Sequence, residues 1–480
     1  MNTPPPPLWT HDEVTAATGS RTAGEKAALW TADGVSIDSR TLEKNDFFIA
    51  IAGPNFDGHD FVGKAFAADA AAAMVSHLPE SLEDSRPLLL VDDTRQGLEN
   101  LAAAARARTA ARITAITGSV GKTSTKEALR LALEPQGATT ASIGNLNNQW
   151  GVPLSLARMP GESVFGVFEL GMNHPGEIVP LSKMVRPHVA IITSIEPVHS
   201  EFFASIAHIA EAKAEIFQGM DEGAAVLPRE NPFFPVLAET AREQGVTRII
   251  GFGAHPEADA RLVECDLQPL TSHISASICG TDVSYELNMP GRHWIINSLA
   301  VLAAVDALGG DVREAAETLS SLEAIEGRGS HFFLSLAGGE CELFDESYNA
   351  SPTSMRAAIS VLSRARLGKA GRRIAVLGDM LELGQRSASL HASLVRDLEQ
   401  AKIDLVFTAG AEMKHLRDAL SAEMRGGHAV SAAALAPMVK AALKPGDVIT
   451  VKGSYGSHMR DVVAALTDPD NAPPQAANGN

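Results

Sequence analysis

A short run of residues near position 120 has the composition of a phosphate-binding loop. An apolar, β-branched segment leads into the run Gly118-Ser119-Val120-Gly121-Lys122-Thr123-Ser124, after which a helical pattern begins. In such an arrangement backbone N–H groups and a lysine contact phosphate oxygens, and a threonine hydroxyl reaches Mg²⁺. The common loop has one more glycine, at the position that Ile116 occupies here. We therefore predict a site for the triphosphate of a nucleotide, built on a shortened loop.

Three side chains further along the chain have types that could complete this site. Glu169 ends an apolar run, and ligands of open α/β sheets bind beyond the carboxyl ends of such strands, where a carboxylate can hold Mg²⁺. His199 follows a second apolar run, and Lys213 lies in a strongly helical stretch. Taken one at a time, the glutamate could cap a helix, and the other two could be ordinary solvated side chains. Only their occurrence together with the loop favours a functional interpretation.

The elements that must position these residues follow the pattern of an α/β protein. A chain of 480 residues is too long for one hydrophobic core, and 45% hydrophobic and 20% charged residues are typical of a globular protein. Strands alternate with helices, which favours mostly parallel sheets. We predict a first α/β domain at residues 1–110, a central domain with the loop at 111–320, a Rossmann-like domain at 321–467 and a disordered tail at 468–480.

Local patterns make these domain predictions more specific. Alanine-rich stretches predict helices near 64–73 and 97–110, since alanine has the highest helix propensity. Short β-prone pieces predict an antiparallel sheet edge at 260–290. The glycine pair in Gly251-Phe-Gly253 predicts a turn.

Charge and cysteine content limit the possible partners. A net charge of −18 without a basic stripe argues against nucleic acid, whose phosphates need clustered lysine and arginine. The three cysteines have no paired spacing and no histidine neighbours, which indicates unpaired thiols in a reducing compartment. The run Met1–Trp9 lacks the features of a signal peptide, and no apolar segment is long enough to span a membrane. We expect a cytoplasmic monomer without membrane insertion.

A set of motifs spread over residues 36–460 resembles the Mur ligase family. Beside the loop, Glu169, His199 and Lys213, the set comprises residues 144–154, Gly291-Arg-His293, Gly327-Arg328, Asp345–Ala350, Val376–Gly384 and Val451–Ser454. So many motifs in one order are far more specific than any one of them. The signatures at Asp345–Ala350 and Val376–Gly384, the latter with Asp379 and Glu382, resemble most the branch that adds D-alanyl-D-alanine to UDP-N-acetylmuramoyl-tripeptide.

The resemblance implies both a fold and a reaction. The fold would comprise an N-terminal domain that binds the UDP moiety, a central ATPase domain and a C-terminal Rossmann-like domain that closes over the site. With ATP and Mg²⁺, the tripeptide carboxylate would attack the γ-phosphoryl group and form an acyl phosphate. The amine of D-alanyl-D-alanine would then attack the acyl phosphate and expel phosphate.

The resemblance also implies roles for individual residues. The catalytic residues would be Lys122, Glu169, His199 and Lys213. The Mg²⁺ ligands would be Thr123, Glu169, His199 and Lys213, the last as a carbamate, because an ammonium cannot ligate a cation. ATP would contact residues 118–124 together with Asn297 and Arg328, and the UDP-linked substrate would contact Ser36, Asp38, Ser39, Arg40, Asn147 and Asn148.

Some positions depart from the family pattern, and other interpretations of the sequence exist. The departures are Trp294, which could stack on adenine, and Glu346, Ser351 and Tyr455. Another Mur ligase or a folylpolyglutamate synthase would share the loop but not the two branch signatures. A GTPase would carry an Asn-Lys-x-Asp motif, which the sequence lacks, and a P-loop kinase stays open at this point. The intact loop and its partners argue against a catalytically silent nucleotide-binding module.

Overall fold

The computed structural model describes residues 6–23, 30–53, 55–79, 86–197, 201–203 and 205–468. The prediction for His199 and that of a disordered tail beyond residue 468 lie outside these residues. Within the described ranges, three larger sheets follow one another along the chain, and a two-stranded ladder accompanies the first. The sheets fall within the three predicted α/β ranges, and the boundaries near residues 110 and 320 stay a prediction.

The N-terminal unit is a small sheet with helices packed on it. Its strands are β1 (Trp9–Thr10), β2 (Arg21–Ala23), β3 (Thr31–Ala32), β4 (Gly34–Ser36), β5 (Asp46–Ile49), β6 (Ala72–Val75) and β7 (Leu88–Leu90). Its helices are α1 (His11–Thr18), α2 (Val62–Ala67) and α3 (Thr94–Arg108). The sheet order is β2-β7-β6-β5-β4, with β2 antiparallel to β7 and the other pairs parallel.

The helix predicted near 64–73 is wrong in its second half. Helix α2 ends at Ala67, Asp69 adopts a left-handed conformation with φ 64°, and Ala72 and Ala73 belong to β6. Strand β6 is fully buried between β5 and β7. Burial within the sheet overrides the helix propensity of alanine, which is a weak preference.

The central unit is a sheet of alternating strands and helices. Its strands are β8 (Arg112–Thr117), β9 (Thr139–Ala141), β10 (Phe165–Glu169), β11 (Val189–Ile192), β12 (Ala224–Pro228), β13 (Arg248–Gly253), β14 (Ala260–Leu267), β15 (Ser272–Ile278) and β16 (Thr281–Leu287). Its helices are α4 (Lys122–Leu133), α5 (Gly151–Ala157), α6 (Ile178–Val185), α7 (Ile206–Ala214), α8 (Phe234–Glu243), α9 (Arg292–Ala307) and α10 (Val312–Thr318). The order is β16-β15-β14-β13-β12-β11-β8-β10-β9.

The strand directions of this sheet confirm the antiparallel edge predicted at 260–290. Strands β14, β15 and β16 pair antiparallel, whereas all pairs from β9 to β14 are parallel. The turn predicted at Gly251-Phe-Gly253 is wrong, because these residues belong to β13. A Cβ on Gly253 would lie 1.8 Å from the Glu230 carboxylate. Glycine in this strand therefore marks a close approach of the neighbouring loop.

The C-terminal unit has a parallel sheet with a hairpin on one edge. Its strands are β17 (Ser330–Leu336), β18 (Gly339–Glu346), β19 (Arg373–Gly378), β20 (Leu405–Ala409), β21 (Arg425–Ala429) and β22 (Val448–Lys452). Its helices are α11 (Pro352–Arg364), α12 (Ser387–Gln400), α13 (Met413–Ala419), α14 (Ala432–Ala442) and α15 (Arg460–Thr467). The order is β17-β18-β22-β19-β20-β21, and only β17 runs antiparallel.

Apolar side chains are buried on both faces of the central sheet, as a doubly covered parallel sheet requires. Ile116 and Val167 face one core with helices α4 and α9, while Ile113 and Phe168 face the other. Strand β8 therefore lies fixed between two cores, and the loop that follows it starts from a rigid base. Across the described ranges, no helix has the length and apolarity needed to cross a bilayer.

Candidate active site

The carboxyl ends of three adjacent parallel strands form the base of the site. Strand β8 pairs with β10 on one side and β11 on the other, with Ile116 opposite Glu169 and Thr117 opposite Ile192. Because the strands are parallel, the loop after β8 and the last residue of β10 must meet at one edge of the sheet. Glu169 therefore stands beside the glycine-rich loop, as the sequence predicted.

Glycine is required in the loop because it lies tightly against the end of β11. A Cβ on Gly118 would lie 1.9 Å from Thr193 Oγ1. The N–H of Ser119 donates to Ser194 O at 2.9 Å, and the N–H of Val120 donates to Ser194 Oγ at 3.0 Å. These two N–H groups are thus engaged within the protein. The N–H groups of the first turn of α4 have no intrahelical acceptors and are the ones available to a phosphate.

Lys122 is held in the loop in an unfavourable environment for a cation. Its Nζ donates to Gly118 O at 2.9 Å. Burial lowers the pKa of Lys122, the carboxylate of Glu169 opposes that shift, and the guanidinium of Arg328 adds to it. Arg328, which comes from the start of the C-terminal unit, is thus close enough to influence the loop. A phosphate group here would favour the charged form of Lys122.

Thr123 and Asn147 converge on the Glu169 carboxylate. Thr123 Oγ1 donates to Glu169 Oε2 at 2.8 Å, and Asn147 Nδ2 donates to Glu169 Oε1 at 2.7 Å. Glu169 is only 2% exposed. A hydroxyl and a carboxylate in hydrogen-bond contact are hard oxygen donors of the kind that Mg²⁺ prefers. This pair therefore fits a magnesium ion.

Lys213 is a buried lysine for which the described residues provide no hydrogen bond or ion pair. It lies near the end of α7 and is 2% exposed. Burial lowers the pKa of Lys213 well below its ordinary value, and the charge of Lys122 lowers it further. As an ammonium, Lys213 does not suit a metal site. Among the described residues no group of three or more His, Cys, Asp or Glu could hold a metal ion, so a wider ligand set needs other donors.

Asn297 and the positions that depart from the family pattern lie around the loop and the domain junction. Asn297 on α9 faces the loop, since a Cβ on Gly121 would lie 3.0 Å from its Nδ2. Trp294, expected as a possible stacking partner of adenine, is 4% exposed and packs into the apolar core of the central unit. It therefore presents little surface to a ligand. The remaining departures are engaged within the protein: Glu346 pairs with Lys452 at 3.2 Å, Ser351 caps α11, and the Tyr455 ring lies 5.7 Å from that of Tyr348.

The N-terminal candidates form a separate group at the end of β4. Ser36 Oγ donates to the Asp38 carbonyl at 3.1 Å, and Arg40 pairs with Asp38 at 2.6 Å. Hydrogen bonding from the guanidinium of Arg40 lowers the pKa of the Asp38 carboxyl. Ser39 lies in the turn between these two residues. The structure does not bring this group into hydrogen-bond contact with the loop.

Helix α5 connects this N-terminal group to Glu169. Asn148 Oδ1 accepts hydrogen bonds from Trp150 N and Gly151 N at 3.1 and 2.9 Å, and so holds the backbone at the start of α5. Just beyond the other end of α5, Arg158 Nε donates to Val35 O at 2.6 Å. The segment with Asn147 and Asn148 thus bridges the two groups of predicted site residues.

Lys126 belongs to the site's framework, and the sequence prediction missed it. It is fully buried, its Nζ donates to the carbonyls of Ser142 and Gly144 at 2.5 and 3.0 Å, and it pairs with Glu127 at 2.7 Å. These bonds fix the segment that leads to Asn147. Its position four residues after Lys122, on the same face of α4, was the only available signal.

Profiles of one protein family match most of the chain. The profile described as Mur ligase middle domain matches residues 116–305, and the Mur ligase, glutamate ligase domain matches residues 336–455. The profile described as Mur ligase family, catalytic domain matches residues 31–106. These matches confirm the family resemblance drawn from the motifs.

Individual proteins match along nearly the whole chain. UDP-N-acetylmuramoyl-tripeptide–D-alanyl-D-alanine ligase of Escherichia coli (strain K12) is 36% identical over 444 residues, which cover 91% of this chain and 94% of that protein. A crystal structure of MurF from Acinetobacter baumannii has a TM-score of 0.82 and 31% identity, covering 97% of this chain and 99% of that one. MurF ligase from Thermotoga maritima in complex with ADP has a TM-score of 0.75 and 25% identity, covering 90% and 96%. The predicted three-domain α/β fold class is thereby confirmed.

Proposed function

Because this chain belongs to the Mur ligase family, we propose that it is the ATP-dependent ligase that joins D-alanyl-D-alanine to UDP-N-acetylmuramoyl-tripeptide in peptidoglycan precursor synthesis. The observation that carries the proposal is the convergence of Lys122, Thr123, Glu169 and Lys213 around one loop, in a chain that also has the branch signature Val376–Gly384. Relatives and solved structures named for this reaction support it.

In the first chemical step, the tripeptide carboxylate attacks the γ-phosphorus of ATP, and ADP is the leaving group. Phosphoryl transfer needs positioning and charge neutralisation more than covalent help from the protein. The first turn of α4 and Lys122 contact the phosphates, and Arg328 approaches from the C-terminal side. Asn297 faces the loop from α9, where it can contact the adenine. Residues Gly118 to Ser124, the phosphate-binding loop, surround the phosphates.

Mg²⁺ would be held by oxygen atoms of Thr123 and Glu169, with His199 and a carbamylated Lys213 as further ligands. When bound, it supplies positive charge that stabilises the transferring phosphoryl group. Lys213 becomes an oxygen donor by attack of its neutral amine on CO₂, which forms an N–C bond and releases one proton. The lowered pKa of Lys213 makes that neutral amine accessible, because burial disfavours the ammonium.

In the second step, the free amine of D-alanyl-D-alanine attacks the carbonyl carbon of the acyl phosphate. The tetrahedral intermediate collapses, the C–O bond to phosphate breaks, and the amine loses a proton. Arg328 and Lys122 are the cations available to the departing phosphate, since both influence the same loop. The peptide bond forms while the ADP remains on the first turn of α4.

The remaining proposals concern the substrate-binding residues, the oligomeric state, the cellular compartment and the domain boundaries. Ser36, Asp38, Ser39 and Arg40 would contact the UDP moiety, and Asn147 and Asn148 the muramoyl end. The acidic chain would act on small molecules and not on nucleic acid, as a monomer. Cys265, Cys279 and Cys341 are free thiols, which suits a reducing cytoplasm. We retain domain boundaries near residues 110 and 320.

ADP release by the purified protein tests the proposal. We expect release that requires ATP, Mg²⁺, UDP-N-acetylmuramoyl-tripeptide and D-alanyl-D-alanine together, and a product whose mass equals the joined substrates less water. The assay uses tripeptides with lysine and with diaminopimelate in separate arms. A control arm offers 2,6-diaminopimelate with the UDP-linked dipeptide, which another Mur ligase would accept. ADP release that is indifferent to both peptide substrates, or that occurs only in the control arm, would overturn the assignment.

A further inference from the structure

The branch signature loop after β19 is anchored by hydrogen bonds of several backbone groups and of the Asp379 carboxylate. Met380 N donates to His391 Nε2 at 3.0 Å, and Leu381 N donates to Ser454 Oγ at 2.9 Å. The Asp379 carbonyl accepts from Ser454 N at 3.0 Å, and its carboxylate caps α13 by accepting from Met413 N at 2.7 Å. These hydrogen bonds tie the loop to α12, to α13 and to the segment after β22.

The same loop meets the central unit. The carbonyl of Glu382 accepts a hydrogen bond from the backbone N–H of Glu201, at 3.3 Å. Glu382 itself has φ 62°, an uncommon conformation for a residue other than glycine. Backbone strain of this kind persists only where the surroundings hold it. The loop therefore acts as a strut between the C-terminal and central units, and its shape depends on its anchors.

His391 is the anchor that reaches the loop from helix α12. Its side chain is fully buried, and Nδ1 lies 2.8 Å from the carbonyl of Ser387, one turn earlier. A carbonyl can only accept, so Nδ1 carries the proton, and Nε2 is left with the lone pair that the Met380 N–H requires. The neutral ring in this tautomer satisfies both contacts.

A second proton on His391 would place two donors face to face at Met380. Burial lowers the pKa of His391, and the charged groups that face it are Asp379, Glu412 and His415. The two carboxylates favour the proton and His415 opposes it. The Glu412 carboxylate is already engaged by the Ser387 hydroxyl at 2.5 Å.

We propose that His391 is a positioning residue for the ligase reaction: it holds the signature loop so that the Glu382 carbonyl meets the backbone N–H of Glu201 in the central unit. The inference rests on the proposed function, because the loop carries the signature that resembles the branch acting on D-alanyl-D-alanine, and we therefore expect its displacement to affect the use of that dipeptide. His391 acts through Met380 and touches no substrate.

Two substitutions separate the two ring contacts. In His391→Asn the amide can still donate to Ser387 O but is too short to reach Met380, whereas in His391→Gln the side-chain oxygen can accept from Met380. We expect His391→Asn to raise the KM for D-alanyl-D-alanine about five- to tenfold, the effect of one hydrogen bond, while the KM for ATP changes less than about twofold. His391→Gln should restore the KM to within about threefold of the original. His273→Gln, at an exposed histidine on β15 of the central unit, is the control and should change neither KM.

The pH profile supplies a readout that a purely structural role would not move. Because burial lowers the pKa of His391 below the ordinary histidine value of about 6.5, the ring takes up a second proton only at pH values below that one. In that acidic range kcat/KM for the dipeptide should fall faster for the original protein than for His391→Gln, which cannot take up a proton. A constant ratio between the two down to the lowest pH at which both proteins stay folded would overturn the proposal, and so would equal KM effects of the asparagine and glutamine variants.

Amide hydrogen exchange tests the hydrogen bond between Met380 and His391 without a measurement of activity. The Met380 N–H should exchange at least about tenfold faster in His391→Asn than in His391→Gln, because only the glutamine preserves its acceptor. If the original protein shows no dipeptide-dependent ADP release, the proposed function fails while this measurement still tests the anchor. Equal exchange in both variants would refute the anchor whatever the activity.

Discussion

Lys122, which is partly buried, and Lys213, which is fully buried, are two amines near the same loop that have different hydrogen-bond partners. Burial lowers the pKa of both, and the charge of Lys122 contributes to the shift at Lys213. Lys122 has a carboxylate nearby and a carbonyl acceptor, so it can remain a cation for phosphate. Lys213 has neither among the described residues, so burial shifts its balance toward the neutral amine. The same loop region thus holds one lysine suited to binding an anion and one suited to becoming an anion.

Replacement of Lys213 by alanine tests this division of roles. We expect Lys213→Ala to lower kcat by about a hundredfold or more, because the carbamate oxygen that would hold the stabilising Mg²⁺ is lost. Small carboxylates such as formate or acetate should restore part of the activity by occupying the vacated space. The measurement is ADP release with saturating substrates, with and without added carboxylate.

The matched control for Lys213 is Lys183→Ala, at an exposed lysine on α6. It should leave kcat unchanged and should not respond to carboxylates. An unchanged kcat in Lys213→Ala would remove the carbamate from the proposal. A loss that no carboxylate relieves would assign Lys213 a role as an amine.

At the scale of elements, α4 combines the chemistry of the site with its support. Its first turn presents Lys122 and Thr123 to the ligand side, and Lys126 on the next turn bonds the carbonyls of Ser142 and Gly144. Asn147, which contacts Glu169, follows in the same segment. The helix therefore fixes both the phosphate cradle and the segment opposite it.

We expect Lys126→Met to lower the free energy of unfolding by about 1–3 kcal/mol, because the carbonyls of Ser142 and Gly144 lose their donor and Glu127 loses a partner. The same substitution should raise the KM for the UDP-linked substrate, because the segment before Asn147 loosens. Chemical denaturation and steady-state kinetics give the two values. Lys183→Met, on an exposed helix face, should change the free energy of unfolding by less than about 0.5 kcal/mol. Equal effects of the two variants would show that the buried contacts contribute nothing specific.

The sequence predicted those features whose residues lie in one contiguous segment, and it missed those that depend on contacts between distant segments. The strand, loop and helix at Arg112–Leu133 form one contiguous pattern, and the fold class and the family followed from motifs of that kind. The helix predicted near 64–73 failed because β6 is specified by burial between other strands. Lys126 and His391 were missed because their partners lie 11 to 18 residues away, in contacts that only the folded chain creates. The roles of the site residues themselves stay predictions.

At the scale of the whole molecule, a line of contacts runs from the phosphate-binding loop to the C-terminal domain. Ser119 Oγ donates to the Glu196 carbonyl at 3.1 Å and accepts from Glu196 N at 2.9 Å. The Glu196 carboxylate then accepts from Thr353 Oγ1 at 3.0 Å. Thr353 lies in the first turn of α11, where the helix dipole also favours a carboxylate. A single residue, Glu196, therefore links the phosphate-binding loop to the C-terminal domain.

Thr353→Val keeps the shape of the side chain but removes the donor, and it should weaken the closed arrangement of the two domains. We expect kcat to fall about two- to fivefold, as the loss of one hydrogen bond between the domains implies, with the free energy of unfolding changed by less than about 1 kcal/mol. Small-angle scattering with ATP and the UDP-linked substrate bound should give a larger radius of gyration than for the unaltered protein. Ser360→Ala, at an exposed position on the same helix, controls for changes to α11 itself. If kcat and the radius of gyration both match the control, the Glu196–Thr353 contact does not hold the domains together, and closure must depend on the strut at Glu382 and on the ligands.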